Sequence, residues 1–273
     1  MGYQRFSPPD DLRDVIEHVW LVESVPVPAL RQEILIPNGR PGLAVALADP
    51  GTRHDPVTGT EWPNAASVFG IMTRPQVIGQ VGRSSYAGVE FTPWGTTALG
   101  LPSLVDEVLV LADWVGSGAV AALVEDLRAE PFGPNRADRL TRFLASRATT
   151  SAPEIVADAV RAIDELRGRA TVTEIVQRCG TSYSTLYRVF RQGVGIGPKQ
   201  YAELIRYYHF VGGLLGGPAD AAATLSALHG YYDQAHAARD FKRYTGVSAT
   251  SFLAVHDGIA ALMHTAGRSV QDG

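Results

Sequence analysis

The amino-acid sequence predicts an α+β protein. An N-terminal β-rich barrel or sandwich with following helices precedes an all-α region, where a long helix joins two helix-turn-helix units. Three observations predict it. Short apolar runs broken by Gly, Pro, Asn and Asp fill the first hundred residues. Apolar residues at three- and four-residue intervals then replace them. Finally, a short helix, a glycine turn and a capped helix occur twice, about fifty residues apart.

Bulk composition permits that division. At 273 residues the chain can form two ordinary domains. Its 45% hydrophobic and 19% charged content is that of a folded chain rather than a disordered one. The opening MGYQRFSPPDD lacks a cationic, apolar leader, and no stretch reaches the roughly 18 apolar residues a membrane helix needs. A soluble cytoplasmic protein with no membrane partner is the expectation. The single Cys179 excludes an internal disulfide framework and a cysteine zinc site. Residues 1–150 hold 12 basic and 17 acidic residues, residues 151–273 hold 12 and 11, so the net charge of −4 sits in the first half. Basic residues cluster locally at Arg188 and Arg191, and at Arg239, Lys242 and Arg243.

From the N-terminus, DDLRDVIEHVWLVES fits a helical turn running into a strand, and its pattern leaves the assignment open. EILIP, GLAVAL, SVFGIM, QVIGQV and AGVEFTPW are strand-like runs at sandwich or barrel spacing. LPSLVDEVLVLADWVG, GAVAALVEDLRAEPFG and NRADRLTRFLASRA have helical periodicity, and the chain is expected to stay helical to its end. Leu123, Leu127, Leu140 and Leu144 on these helices fit a dimer seam or internal packing equally well.

ATTSAPEI is the expected boundary. It gives residues 1–150 as a sensing or assembly domain, 151–260 as the helical domain and 261–273 as a tail. Ser151 and Glu154 form a capping box ahead of a helix striped by Ile155, Val156, Ala159, Val160, Ile163 and Leu166. Thr171 and Glu174 repeat that box, the helix they open stops at Gly180, and Ser182 caps YSTLYRVFRQ. The second unit turns at Gly230 and begins its capped helix at Asp233. Gly180 aligns with Gly230, Leu186 with Ala237, Arg188 with Arg239, Phe190 with Phe241 and Gly195 with Gly246, with PKQYAELIRYYHFVGGLL as the helix between.

Rival chemistry is thin. GVGIG lacks the preceding strand and the Lys-Ser/Thr of a phosphate loop. His229 and His236 lack metal-binding spacing, and Ser84 and Ser85 lack a hydrolase elbow. No catalytic residue, metal or cofactor is assigned, and no enzyme is expected.

In the repeated units the sequence resembles the AraC family of bacterial transcription regulators. The first unit's Ser-x-x-x-Leu-x-Arg-x-Phe and Gly-x-x-Pro stand as Ser182, Leu186, Arg188, Phe190, Gly195 and Pro198, with Arg206 on the linking helix. The second unit's signature stands as Gly230, Tyr231, Asp233, Gln234, His236, Phe241, Lys242 and Gly246. The resemblance spans roughly 153–257, and ILIPNGRPGLAVAL, GVEFTPWG and VLVLADWVG are similar to the N-terminal region of an AraC-like subgroup. Two positions depart: Ala237 stands where the family has a bulky side chain, and Ala249 where it has a proline.

The resemblance implies a sequence-specific DNA-binding transcription regulator. Its base-facing residues would be Ser184, Tyr187 and Arg188 in the first recognition helix and Gln234, His236 and Arg239 in the second. Thr185, Arg191, Lys242 and Arg243 would meet phosphates. The bland alternatives are a solvated charged face and an Arg188–Glu174 ion pair. Expected partners are double-stranded DNA and, for an activator, RNA polymerase, with a homodimer and a small-molecule effector also allowed. Trp20, Met72, Phe91 and Trp94, in or beside predicted strands, would line an effector cavity or simply fill the core. The alternative function is a ligand-binding or enzymatic barrel whose helical region serves oligomerisation; a third is a regulator set by a protein partner or its own abundance.

Overall fold

Period-two alternation builds the N-terminal sheets. Along β2 (Ile16–Glu23), Val19 and Leu21 face one side and Trp20 and Val22 the other, and all four are buried. The computed structural model describes residues 2–148, 153–216 and 229–253. The other strands are β1 (Gly2–Phe6), β3 (Val27–Leu35), β4 (Gly42–Ala46), β5 (Gly51–His54), β6 (Glu61–Asn64), β7 (Ala66–Phe69), β8 (Gln76–Gly82), β9 (Ser85–Phe91) and β10 (Val108–Val110). A six-stranded sheet runs β1-β2-β9-β4-β7-β10 and a four-stranded one β3-β8-β5-β6. The neighbours within each sheet are antiparallel.

The six-stranded sheet has two apolar faces with different partners. Val19, Leu21, Leu43, Val45, Val68 and Val89 join the main core with the helices. Trp20, Val22, Ala44 and Tyr86 form a separate small cluster between the sheets. Gly88 makes room there, because a Cβ would overlap the Trp20 indole. The ambiguous opening segment is both things in succession, a 3-10 turn at Asp10–Leu12 and then β2.

LPSLVDEVLVLADWVG is not helical throughout. Val108, Leu109 and Val110 pair with Phe69, Val68 and Ser67, so a short edge strand precedes α2 (Leu111–Val115). β-branched residues beside an open edge outweighed the helical spacing. With α1 (Gly95–Ala98), α3 (Ser117–Ala129) and α4 (Pro134–Ala145) complete this half. Leu123, Leu127, Leu140 and Leu144 are buried in the chain's own core, so they pack internally and offer no dimer seam.

In the C-terminal half, α5 (Glu154–Glu165) buries Val156, Ala159, Val160 and Ile163. Ser151 lies outside the described residues, as does the helix expected ahead of Gly230. The remaining helices are α6 (Val172–Arg178), α7 (Tyr183–Val194), α8 (Pro198–Gly216), α9 (Gln234–Thr245) and α10 (Ala249–Leu253). The core runs unbroken from the first half into the second.

Candidate nucleic-acid interface and intersheet cavity

The helices α7 and α9 are built alike from local chemistry. Ser182 Oγ accepts from Thr185 N at 3.2 Å, and Asp233 Oδ1 accepts from His236 N at 2.6 Å, each satisfying an orphan donor of the first turn. Each helix has twelve residues and ends at a left-handed glycine, Gly195 (φ 90°) and Gly246 (φ 77°). Leu186 and Phe190 turn into the core, and so do Ala237 and Phe241. Arg188 and Arg239 are therefore each the sixth residue of an equivalent helix.

Both arginines are exposed, and no hydrogen bond or ion pair joins either to another described residue. The alternative Arg188–Glu174 pair does not form, because the Glu174 carboxylate accepts from Thr171 N at 2.7 Å and from its hydroxyl at 2.8 Å. Ser184 and Tyr187 share the outer face with Arg188, while Arg191 donates to the Tyr187 hydroxyl at 3.0 Å. Gln234, Lys242 and Arg243 are exposed on or beside α9. Thr185 is half-buried and accepts from the Ser182 hydroxyl, so it belongs to the cap.

His236 is half-buried. Its helical position is that of Thr185, its ring packs edge-on against Tyr231 at 5.2 Å, and its Nε2 lies 3.8 Å from Asp240. Its side chain, 36% exposed, is shared between the body of the unit and solvent. The α9 positions equivalent to Ser184 and Tyr187 are Ala235 and Ala238, both exposed.

The two departures from the family pattern are accommodated. Ala237 is 1% exposed, in a unit whose core also holds Tyr207, Phe210, Tyr231, Phe241 and Tyr244. Ser248 caps α10 without a proline, accepting from Ser251 N at 3.2 Å, and Phe252 meets Phe241 edge-on. Arg206 joins α8 to the second unit, lying over the Tyr231 ring and 3.7 Å from Asp240.

A second feature is a cavity of about 370 Å³ between the sheets. Trp20, Ala44 and Phe69 line it from the six-stranded sheet, Arg53, Ile78 and Gln80 from the four-stranded one. Asp164, Ile205, Tyr208 and His209 close it from α5 and α8, so both halves of the chain supply walls. Of the four residues expected around an effector, Trp20 and Met72 line this cavity. Phe91 and Trp94 do not: Phe91 fills the main core, and Trp94 joins it while its indole N–H donates to Asp14 O at 2.6 Å.

Charge around the cavity is mostly paired. Arg40 donates to Asp164 at 2.7 Å and also to Glu17 and the Tyr201 hydroxyl. Burial opposes its charge, yet Asp164 and Glu17 outweigh that and hold the guanidinium protonated. His18 is pushed down to about 4 by burial, against the pull of Glu90, so its imidazole is neutral at pH 7. Sequence patterns did not mark Arg40, Arg53 or Asp164; the first two sit in PNGRPG and GTRHDP, which have turn composition. Among the described residues no cluster suits a metal ion, and no helix is long and apolar enough to cross a membrane.

Residues 175–254 match a helix-turn-helix domain family, and residues 4–103 match a domain of unknown function (DUF6597). No curated protein matches the chain. Among solved structures, the fold is similar to ToxT from Vibrio cholerae, at 10% identity and a TM-score of 0.53, over 87% of this chain and 99% of that one. ToxT from Vibrio cholerae O395 gives 10% identity and a TM-score of 0.51, over 88% and 99%. At such identity the likeness is one of fold.

Proposed function

We propose, from the match of residues 175–254 to a helix-turn-helix domain family and from the AraC-like signatures of both units, a sequence-specific transcription regulator that reads duplex DNA with α7 and α9. The observation that carries the reading is the matched frame of those helices, each presenting an exposed, unpaired arginine at its sixth position. Arg can bridge guanine O6 and N7, Gln can pair with adenine, and hydroxyl groups serve several bases. Ser184, Tyr187 and Arg188 supply the first reading face and Gln234 and Arg239 the second. Arg191, Lys242 and Arg243 neutralise phosphates, which position the protein without specifying sequence.

The 19 residues of α8 span about 28 Å at 1.5 Å per residue. That approaches the roughly 34 Å between successive major-groove faces, so the units can engage one side of the duplex together. Residues 1–150 act as the sensing half. The support is the cavity, whose far wall belongs to the linking helix, so an occupant bears directly on the reading half.

The test is enrichment from a random duplex library by the full chain and by an Arg188→Ala/Arg239→Ala variant. Two short blocks about one helical turn apart, lost in the variant, are expected. A linear fall of log K with log salt accompanies them. Salt-insensitive binding without enrichment would instead make the helical half an oligomerisation module.

A further inference from the structure

Among the groups around the intersheet cavity, Arg53 differs from the rest. It projects from β5 in the four-stranded sheet, is 5% exposed, and lies 4.2 Å over the Phe69 ring of the opposite sheet. Its one hydrogen bond goes to Gln76 Oε1 at 2.7 Å, which uses a single donor of a group that has five. No carboxylate among the described residues pairs with it. Burial pulls its pKa down to about 10, with only Tyr86 opposing the shift.

Most of the other cavity charges have partners, although Arg5 bonds only the neutral His18. Arg40 is held by Glu17 and Asp164, and Arg31 lies 3.2 Å from Glu33. Glu90 accepts from Asn38 at 2.6 Å. A buried, unpaired guanidinium is costly to a fold, and a chain tolerates one where the counter-charge arrives with a ligand. The cavity beside Arg53 is of ligand size. Its walls nearby are flat and apolar: Trp20, Phe69, Tyr86 and Met72. Towards β1, Tyr3 Oη and Arg5 Nε are buried without a hydrogen-bond partner and line the same space.

We propose that this cavity binds a small, singly charged organic carboxylate. Its carboxylate lies against Arg53 and its aromatic or apolar body against Trp20, Phe69 and Tyr86. The lining holds five arginines against four carboxylates, so one excess cation matches one negative charge, and a planar carboxylate fits the guanidinium fork of Arg53. A hydroxyl or carbonyl on the ligand's far end would meet Tyr3 and Arg5. The inference rests on reading residues 1–150 as a sensing half, and it gives that half a ligand class.

The test uses the full chain and three acids, indole-3-acetate, 4-phenylbutyrate and trans-cinnamate, each beside its carboxamide of the same shape. Titration calorimetry is expected to show at least one acid binding about tenfold or more tighter than its amide. Arg53→Met should erase that preference while leaving amide binding unchanged, and Arg53→Lys should keep part of it. The free Arg53→Met protein should melt no lower than wild type, because an unpaired buried charge has been removed. Equal affinity for acids and amides, no binding by any of the three acids, or a clear drop in Arg53→Met melting temperature overturns the proposal. Duplex enrichment measured on the same preparation separates the two readings. Acid preference without enrichment leaves the site standing and removes the regulator; enrichment without acid preference does the reverse.

Discussion

Arg40 and Asp164 lie 2.7 Å apart across the junction between the sheets and the helical half. The same guanidinium reaches Glu17 on β2 and the hydroxyl of Tyr201 on α8, so one side chain ties three elements together. Gly39, beside it, has a left-handed backbone (φ 75°), and a Cβ there would stand 2.9 Å from both Ile205 and Tyr201.

Arg40→Gln should cost about 2–3 kcal/mol, since it leaves two carboxylates facing each other with no cation between. Asp164→Asn should cost less, because Glu17 still balances Arg40 and Asp164 is about a third exposed. Urea denaturation of both variants and their double mutant measures this. Strict additivity would mean that the pair is not coupled.

Arg239→Ala should weaken the cognate duplex by about 1–3 kcal/mol and relax one base position. Lys242→Ala should weaken every duplex similarly and make the salt dependence shallower. The outer face of α9 also carries Ala235 and Ala238, whose methyls suit thymine methyl contacts and offer no hydrogen bonds. Its block in the enriched sequence should therefore be less informative than that of α7. Competition binding over single-base variants of the enriched duplex checks all three expectations.

Ala237→Leu restores the bulk usual in the family, yet it should destabilise this chain by about 1–3 kcal/mol. The site is 1% exposed, so added methylenes have to be taken up by its packed neighbours. Thermal melting beside Ala237→Gly, which should also destabilise by lowering helix propensity, separates overpacking from mere tolerance.

The contribution of His18 to stability should fall as the pH drops from about 6.5 towards 4. The folded state holds His18 at about 4, so across that window the unfolded chain binds a proton the native state refuses. Arg5, 2.7 Å away, and Arg40 oppose its protonation, and Glu90 only partly offsets them. The contribution is up to about 3 kcal/mol. His18→Gln should flatten this part of the profile, measured as the difference between pH 7 and pH 4.5 in denaturant titrations. Parallel wild-type and variant profiles would refute it.

The helical half was more legible in the sequence than the sheets, and the reason is range. Thr171 with Glu174, Ser182 with Thr185, and Asp233 with His236 are contacts over three residues, so a cap is visible wherever its residues stand. β5 and β6 were invisible, because GTRH and EWPN have turn-like composition, pair with each other as a hairpin, and are anchored to the sheet only through β8, well along the chain. β10 was masked by helical spacing that its pairing with β7 overrode. The half-buried setting of His236 was not legible, because family resemblance assigns a residue type to a role, whereas its surroundings follow from its offset from the cap. The cavity was half legible: Trp20 and Met72 stood out in its lining, but Arg40, Arg53 and Asp164 take their meaning from residues on other strands and helices.

The unbroken core has a consequence for engineering. Thr97 donates to Gly193 O at 3.3 Å, Val105 packs where a Gly195 side chain would stand, and Pro75 lies beside Gly246. The C-terminal ends of α7 and α9 are thus seated on the sheet half rather than hung from a tether. Hybrids that graft the helices onto a foreign sensor would bare the apolar surface of α5 and α8 and invite self-association. A working graft must carry along the matching wall, Gly39, Arg40, Thr97 and Val105 included, so the transplantable unit is the seam and not the sequence on one side of it.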